Sequence, residues 1–302
     1  MKRKVAVLAS DNMMPGAQDA RADDFERDEQ MGKLVPCLAA REMECELVRW
    51  REAAARAGEF DAVLPLLCWD YWDDREAFLG EMERAAEVTR VFNAPEVLRW
   101  NTDKIYLDQF ARGGVPTIPT GFVERVDEAD VLDGFTRFDT DTLVIKPQVG
   151  AGAWRQALVR RGEPMPGRDA LPPGAAMVQP FQDSVGTEGE VSMLWFGGEL
   201  SHSLKKLPKA GDYRIQSLYG GREVPYEAGD ELRELATRVL GALPEIPLYA
   251  RVDCLRGNDG AWKLIELELV EPYLYFGLSE GEGANNKGAN LFADALARVL
   301  YG

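Results

Sequence analysis

Three acidic residues near the end of the chain, Asp253, Glu266 and Glu268, have the spacing that a divalent-cation site would need. Asp259-Gly260 has the composition of a two-residue type I′ turn, and it joins an apolar-rich run over 248–258 to another over 261–270. That register sets Asp253 opposite Glu266 and Arg251 opposite Glu268. Side chains alternate along strands, so Leu264, Glu266 and Glu268 share one face, while Ile265, Leu267 and Leu269 form an apolar face suited to a core. Carboxylates crowded in this way repel unless a cation lies among them, and an all-oxygen donor set suits Mg²⁺ or Mn²⁺. The same hairpin also describes a solvated acidic face with an Arg251 to Glu268 cross-strand pair. Hairpin geometry alone leaves both readings open, and a one-residue slip would undo either.

Protein-bound magnesium usually accompanies phosphate, so cations near a small-residue loop come next. Lys146 lies near the end of the predicted strand 142–147, directly before Gln148-Val149-Gly150-Ala151-Gly152-Ala153-Trp154-Arg155. Free backbone N–H groups in such a loop can cradle anionic oxygens. The P-loop pattern is absent, and Arg155 stands where a dinucleotide-binding loop would have its third glycine. A second hairpin turns at Gly197-Gly198 and pairs 190–196 with 199–205, which sets Glu190 opposite Lys205 and Met193 opposite His202. With no carboxylate facing it, His202 reads as a surface or interface imidazole rather than a base.

The elements that must position these groups follow from periodicity. Strands over 4–9, 45–50 and 61–67 alternate with helices over 25–43 and 75–90, the order of a parallel α/β sheet. The acid-rich stretch 23–29 falls at a helix start, where carboxylates complement the dipole. Trp69, Tyr71 and Trp72 follow the third strand, where they either wall a ligand crevice or pack two lobes together. A helix over 104–112 precedes Gly113-Gly114, and 161–174 reads as an irregular connection before the extended segment 176–181.

Composition sets the outer bounds. With 302 residues the chain has room for two or three units of ~100–200 residues. Lys and Arg number 35 against 51 Asp and Glu, a net charge of −16, and 46% of residues are hydrophobic, which excludes a generally basic nucleic-acid binder and a disordered chain. Any bound anion must meet a local cationic pocket. The single histidine excludes chemistry that needs two imidazoles. Cys37, Cys45, Cys68 and Cys254 form no CxxC pair and read as reduced cytoplasmic thiols. The apolar run 5–9 is shorter than the roughly 7–15 residues of a signal peptide and reads as a strand, and no run reaches the roughly 18 of a membrane span.

Taken in order, several stretches resemble an ATP-grasp ligase of the branch that includes glutathione synthetase, ribosomal-protein glutamate ligase and cycloserine ligase. They are Asn101-Thr102-Asp103-Lys104, Ile145-Lys146-Pro147, Val178-Gln179-Pro180-Phe181, Gly211-Asp212-Tyr213-Arg214-Ile215-Gln216, Ala250-Arg251-Val252-Asp253 and Leu264-Ile265-Glu266-Leu267-Glu268. The resemblance implies an α/β ATP-grasp fold with a parallel N-terminal lobe over 1–97, a small central lobe over 98–177 and an antiparallel C-terminal lobe over 178–302. It also implies that Lys104 and Lys146 contact ATP phosphates under a loop freed by Gly150 and Gly152, and that Gln179 and Phe181 belong to the adenine hinge, with Glu190 in the nucleotide site. Lys205 and Arg214 would approach the phosphoryl group or the acid, and Arg251 the oxyanion. Asp253, Glu266 and Glu268 would hold two Mg²⁺, with Mn²⁺ the alternative.

The family's Glu-x-Asn reads Glu266-Leu267-Glu268 here, an extra carboxylate in place of the amide. Glu271-Pro272-Tyr273-Leu274-Tyr275-Phe276 stands where other members carry a small-residue loop, so it is expected to shape the acceptor site. The implied activity is ATP-dependent joining of a carboxylate to an amine through an acyl-phosphate. A small amino acid or peptide would be the substrate, a cyclising variant is left open, and neither nucleic acid nor membrane is expected. A homo-oligomer is compatible with this reading. The alternatives are a phosphotransferase on the same scaffold and a nucleotide-binding regulatory module without turnover.

Overall fold

The computed structural model describes residues 2–209, 213–215 and 220–302. Strands β1 (Arg3–Ala9), β2 (Met43–Arg49), β3 (Ala62–Leu67) and β4 (Arg90–Val91) form a parallel sheet in the order β2-β1-β3-β4. Helices α1 (Phe25–Ala39), α2 (Ala53–Arg56) and α3 (Arg75–Ala86) connect them. All six residues of β3 are buried because apolar layers cover both faces of the sheet. Alternation sorts the side chains: Val5, Val7 and Leu64 pack with Leu34 and Leu38 of α1, while Ala6, Leu8 and Val63 meet Phe78, Leu79 and Met82 of α3.

The chain then passes through α4 (Pro95–Asn101) and α5 (Tyr106–Arg112) into a four-stranded antiparallel sheet. Its strands are β5 (Gly121–Val123), β6 (Thr142–Pro147), β7 (Ala157–Arg160) and β8 (Ala176–Pro180), in the order β5-β8-β6-β7, with α6 (Glu128–Arg137) against it. Helix α4 goes beyond the sequence reading, which took Asn93-Ala94-Pro95 as a break only. Pro95 occupies the first helical turn, where its missing N–H costs nothing.

After α7 (Ser184–Thr187), five antiparallel strands take the order β11-β10-β9-β12-β13. They are β9 (Glu190–Phe196), β10 (Glu199–Leu207), β11 (Arg222–Pro225), β12 (Tyr249–Arg256) and β13 (Trp262–Glu268), with α8 (Asp230–Gly241) before β12 and α9 (Lys287–Tyr301) closing the chain. Tyr106, Leu107 and Phe110 of α5 share a core with this sheet and α8. Phe292, Ala293 and Leu296 of α9 join Phe196 and Tyr249 to the core under β1 and β3. The four cysteines are unpaired, and among the described residues no helix is long and apolar enough to cross a membrane.

The strand that carries Glu266 and Glu268 lies at the edge of its sheet, and the segment 93–118 covers that edge. Leu264 exchanges backbone hydrogen bonds with Pro116 and Ile118. Leu267 donates its N–H to the Tyr106 hydroxyl at 3.0 Å, and that hydroxyl donates back to the Leu267 carbonyl at 3.0 Å. The Asn101 amide donates to the Leu267 carbonyl at 2.8 Å and accepts from the Leu269 N–H at 2.7 Å. Asn93 does the same one step further, donating to Tyr249 and Leu269 carbonyls and accepting from the Leu248 N–H. Tyr106→Phe leaves the buried Leu267 N–H unpaired. It should cost about 1–3 kcal/mol, seen as a lower melting temperature.

Candidate active site

Both hairpins depart from simple pairing, and the departures decide which side chains meet. Between β9 and β10 the pairing starts as expected, Phe196 with Glu199, but the register shifts between Leu200 and His202. Beyond it His202 faces Leu194 rather than Met193, and Glu190 faces Lys206 rather than Lys205. Because alternate side chains point to opposite faces, one bulged residue exchanges the two lysines. Lys205 is thereby excluded from the cleft and lies over the Tyr226 ring, 4.4 Å from its centre. Lys206 takes the inward position.

Between β12 and β13 two deviations cancel. Gly257 donates to the Ala261 carbonyl, so the loop has one residue more than the expected two-residue turn. A register shift between Leu264 and Glu266 restores the pairing, and Asp253 faces Glu266 and Arg251 faces Glu268 as expected. The face assignment changes locally: Leu264 joins Leu267 and Leu269 in the core, and Ile265 lines the cleft beside Glu266 and Glu268.

These strands, the β5-β8-β6-β7 sheet and the segments that follow β1 and β3 enclose a cavity of about 430 Å³. Among the described residues six cationic side chains line it, Arg21, Lys104, Lys146, Lys206, Arg214 and Arg251, with seven acidic ones, Asp23, Glu26, Glu190, Asp253, Glu266, Glu268 and Glu271. The acidic surface of the chain thus gives way to a mixed, tightly paired interior. Lys206 Nζ lies 3.0 Å from Glu190 and 3.3 Å from Asp253, all three buried. Arg251 pairs with Asp253 at 3.0 Å and with Glu268, and Ser192 donates to Asp253 at 2.5 Å. Burial opposes the ionisation of Asp253, but Arg251 and Lys206 outweigh it and hold its pKa below the usual value. Lys206 is held above its ordinary range despite burial and the nearby Arg251, because Asp253 and Glu190 favour its charge.

Lys104 and Lys146 are the other cations at the base of the cleft. Lys104 donates to the Gly150 carbonyl at 2.6 Å and lies 3.2 Å from Glu266, so it ties the small-residue loop to the acidic hairpin. Burial lowers the pKa of Lys146, while burial at Lys104 is outweighed by Glu266 and its pKa rises. Gly150 has φ +156°, and a Cβ there would come within 2.9 Å of Pro147, so the loop needs glycine. Gly152, at φ +61°, uses the same freedom. Trp154 in this loop meets Trp72 at 4.6 Å between ring centres, so Trp69 and Trp72 wall the cleft while Tyr71 is buried in the core.

Gln179 lines the cleft and donates to Thr120 at 2.8 Å. The Phe181 N–H donates to the Thr142 carbonyl and its own carbonyl accepts from Asn258, so its backbone is already engaged. Its ring instead joins Tyr213 and Ile265 around the buried Val185, Ile215 and Leu255. Arg214 lines the same cavity. Gly211, Asp212 and Gln216 of the expected motif lie outside the described residues.

The lone histidine is part-buried, and both its ring nitrogens are engaged. Ser201 Oγ lies 2.8 Å from Nδ1, and Nε2 lies 3.1 Å from the carbonyls of both Leu274 and Tyr275. Carbonyls only accept, so Nε2 carries the proton and Ser201 donates to Nδ1. Burial lowers its pKa to about 4.

Asp253, Glu266 and Glu268 supply only oxygen donors, as a hard divalent cation requires. Among the described residues no three acidic, His or Cys side chains close around one point, since each acid turns to a cation. Burial nevertheless pushes Glu268 up to about 7 against the pull of Arg251, with Glu266 and Asp253 adding to the rise. A divalent cation among these oxygens relieves that cost, so the donor set fits one.

Known proteins place this arrangement. Residues 5–93 match the family model described as the D-cycloserine synthetase DcsG N-terminal domain. The chain is 30% identical over 293 residues to the cycloserine biosynthesis protein DcsG of Streptomyces lavendulae, covering 90% of this chain and 94% of that one. It is 31% identical over 219 residues to the glutathione synthetase of Prochlorococcus marinus (strain MIT 9313), covering 70% of this chain and 64% of that one. The chain belongs to the ATP-grasp ligase superfamily. The crystal structure of D-cycloserine synthetase DcsG superposes with a TM-score of 0.83 at 27% identity over 98% of this chain and 99% of that one. The D-alanine–D-alanine ligase of Bacillus anthracis, at 0.64 and 15% over 100% and 98%, shares the fold. As an ATP-grasp ligase, the protein is an ATP-dependent enzyme that forms carbon–nitrogen bonds.

Sequence reasoning missed Lys206 as a cleft residue, whereas Glu271 and Tyr275 belong to the 271–276 segment expected to shape the site and do line the cleft. Only the bulge separates Lys206 from Lys205, and no residue type announces it. Lys206→Met should abolish substrate-dependent ADP release, while Lys205→Met should leave it within about twofold, measured in parallel by a coupled ADP assay. His202 yields a second expectation. Its folded pKa lies below the ordinary value of about 6.5, so the unfolded chain binds the proton first, and the stabilisation is complete above about pH 6.5 and lost towards pH 4, ~3 kcal/mol in all. Denaturant unfolding across that range should show a difference in slope between wild type and His202→Gln.

Proposed function

We propose that the enzyme activates a carboxylate as an acyl-phosphate and delivers it to an amine, with a small amino acid or peptide as substrate. The observation that carries this reading is the set of cations, the buried Lys206 and Arg251 and the half-buried Lys104 and Lys146, converging on one cleft in an otherwise strongly acidic protein. Lys104 and Lys146 hold the nucleotide phosphates beneath the 148–155 loop. The apolar group around Phe181, Val185 and Leu255 receives the adenine, with Gln179 and Glu190 at its border. Asp253, Glu266 and Glu268 would hold two Mg²⁺, with Glu266 shared and Mn²⁺ the alternative, and the metals would supply neutralisation of phosphate charge.

A carboxylate oxygen of the substrate attacks the γ-phosphorus and the bond to the β-phosphate oxygen breaks, leaving ADP. Lys206 and Arg214 stabilise the oxygens of the moving phosphoryl group. The amine then attacks the acyl carbon, Arg251 steadies the tetrahedral oxyanion, and phosphate leaves as the C–N bond forms. Trp154 and Trp72 keep water from the acyl-phosphate while the loop is closed. The relatedness to a D-cycloserine synthetase supports an intramolecular, cyclising version in which one substrate provides both groups.

ADP release from MgATP across a panel of L- and D-amino acids, singly and in pairs, with hydroxylamine as surrogate amine, tests this directly. Release that depends on one acid, together with a hydroxamate, is expected. A stable phosphorylated product without hydroxamate would establish a phosphotransferase instead, and tight ATP binding without release would indicate a regulatory module. Glu266→Gln should lower metal-dependent turnover by at least about 100-fold with the melting temperature little changed.

A further inference from the structure

The segment 271–275 has no regular secondary structure and Phe276 opens a short 3₁₀ turn, yet side chains from five parts of the fold bind the backbone of 271–276, Arg251 donating to the Tyr273 carbonyl at 3.4 Å. Trp69 donates to the Glu271 carbonyl at 3.0 Å, Gln30 accepts from the Leu274 N–H at 2.8 Å, and Asn286 donates to the Phe276 carbonyl at 2.8 Å. His202 spans the middle of the segment, its Nε2–H shared between the carbonyls of Leu274 and Tyr275. At that point Tyr275 adopts a left-handed conformation, φ 47° and ψ 36°, which a side chain with a Cβ avoids unless its surroundings enforce it. The result is a ring set 5.7 Å from Lys206 Nζ and 5.9 Å from Arg251 Cζ, against Tyr273 at 4.5 Å.

We infer that His202 is a positioning residue, whose imidazole holds Tyr275 in its left-handed turn so that the ring walls the anion end of the cleft beside Lys206 and Arg251. Two features support a purpose-built bracket. Ser201 donates to Nδ1 and so fixes the tautomer that points Nε2–H at both carbonyls. Gly288, at the first turn of α9, leaves the space the ring occupies: a Cβ there would lie 3.1 Å from His202 Cε1. The role rests on the ligase reading, because Tyr275 touches the site where that reading places the substrate carboxylate.

Two measurements test it. Nitrogen-15 NMR of the histidine-labelled full chain reports a single imidazole, since the chain has one histidine. A protonated Nε2 with an unprotonated, hydrogen-bonded Nδ1 at neutral pH is expected, whereas an imidazole protonated at Nδ1, or one exchanging between tautomers, would overturn the bracket. In the ADP-release assay with the amino acid that the panel selects, His202→Leu should raise KM for that amino acid about tenfold and leave KM for ATP unchanged. His202→Gln, which keeps a donor at the same reach, should restore it. If His202→Leu fails to fold, Ser201→Ala takes its place, with the same rise in KM expected from the freed tautomer. An unchanged amino-acid KM, or Leu and Gln variants that behave alike, would reduce His202 to a packing residue. Failure of the ligase reading looks different: the wild-type enzyme would release no ADP with any amino acid while the NMR signature stayed intact.

Discussion

Everything in the cleft depends on how buried charge is compensated. Lys206 is held between Glu190 and Asp253, and Arg251 between Asp253 and Glu268, so each charge is stable only while its neighbours stay in place. Breaking a buried pair leaves an uncompensated ion and is far costlier than losing a surface bridge. This makes the network a template. The acids that pair with lysine and arginine are the ones whose oxygens suit a divalent cation, and the cations are the ones whose charge suits phosphate.

Such a template demands a rigid frame, and the frame is made largely by covering an edge. Strand β13 would expose unpaired backbone along its outer side, but Tyr106, Asn101 and the backbone of Pro116 and Ile118 satisfy it. A side-chain amide or hydroxyl can mimic a neighbouring strand at one or two residues, and a succession of them replaces a full strand. Asn101 and Lys104 therefore act from one short stretch of chain: the first secures the strand that carries Glu266, and the second pairs with Glu266 itself. Structural and chemical demands coincide in the same motif.

The opposite wall is assembled from irregular backbone. Residues 271–276 and the loop 148–155 carry left-handed residues, Tyr275, Ala153 and Arg155 among them, and side chains bind carbonyls in both segments, His202 at Leu274 and Tyr275 and Lys104 at Gly150. Trp154 reaches Trp72 across the cleft, linking the glycine loop to the lobe built on the parallel sheet. Two regular sheets thus hold the charges, and two irregular segments close over them.

The sequence by itself determined the alternating α/β order and the place of Lys146 before a glycine-bearing loop, whereas the expected pairing of Asp253 with Glu266 and of Arg251 with Glu268 holds only because a longer turn and a register shift cancel. Periodicity, turn chemistry and motif order are local, so they survive in one dimension. Helix α4 was hidden because its few apolar residues serve packing rather than a clear stripe. Only the tertiary structure decided which of Lys205 and Lys206 enters the cleft, that Leu264 belongs to the core, and that His202 donates to the Leu274 and Tyr275 carbonyls. Each of these depends on a bulge or on a partner more than 60 residues away. A bulge moves one residue without altering composition or pattern, and the energy that selects it comes from contacts formed only when the sheets and the covering segment pack together.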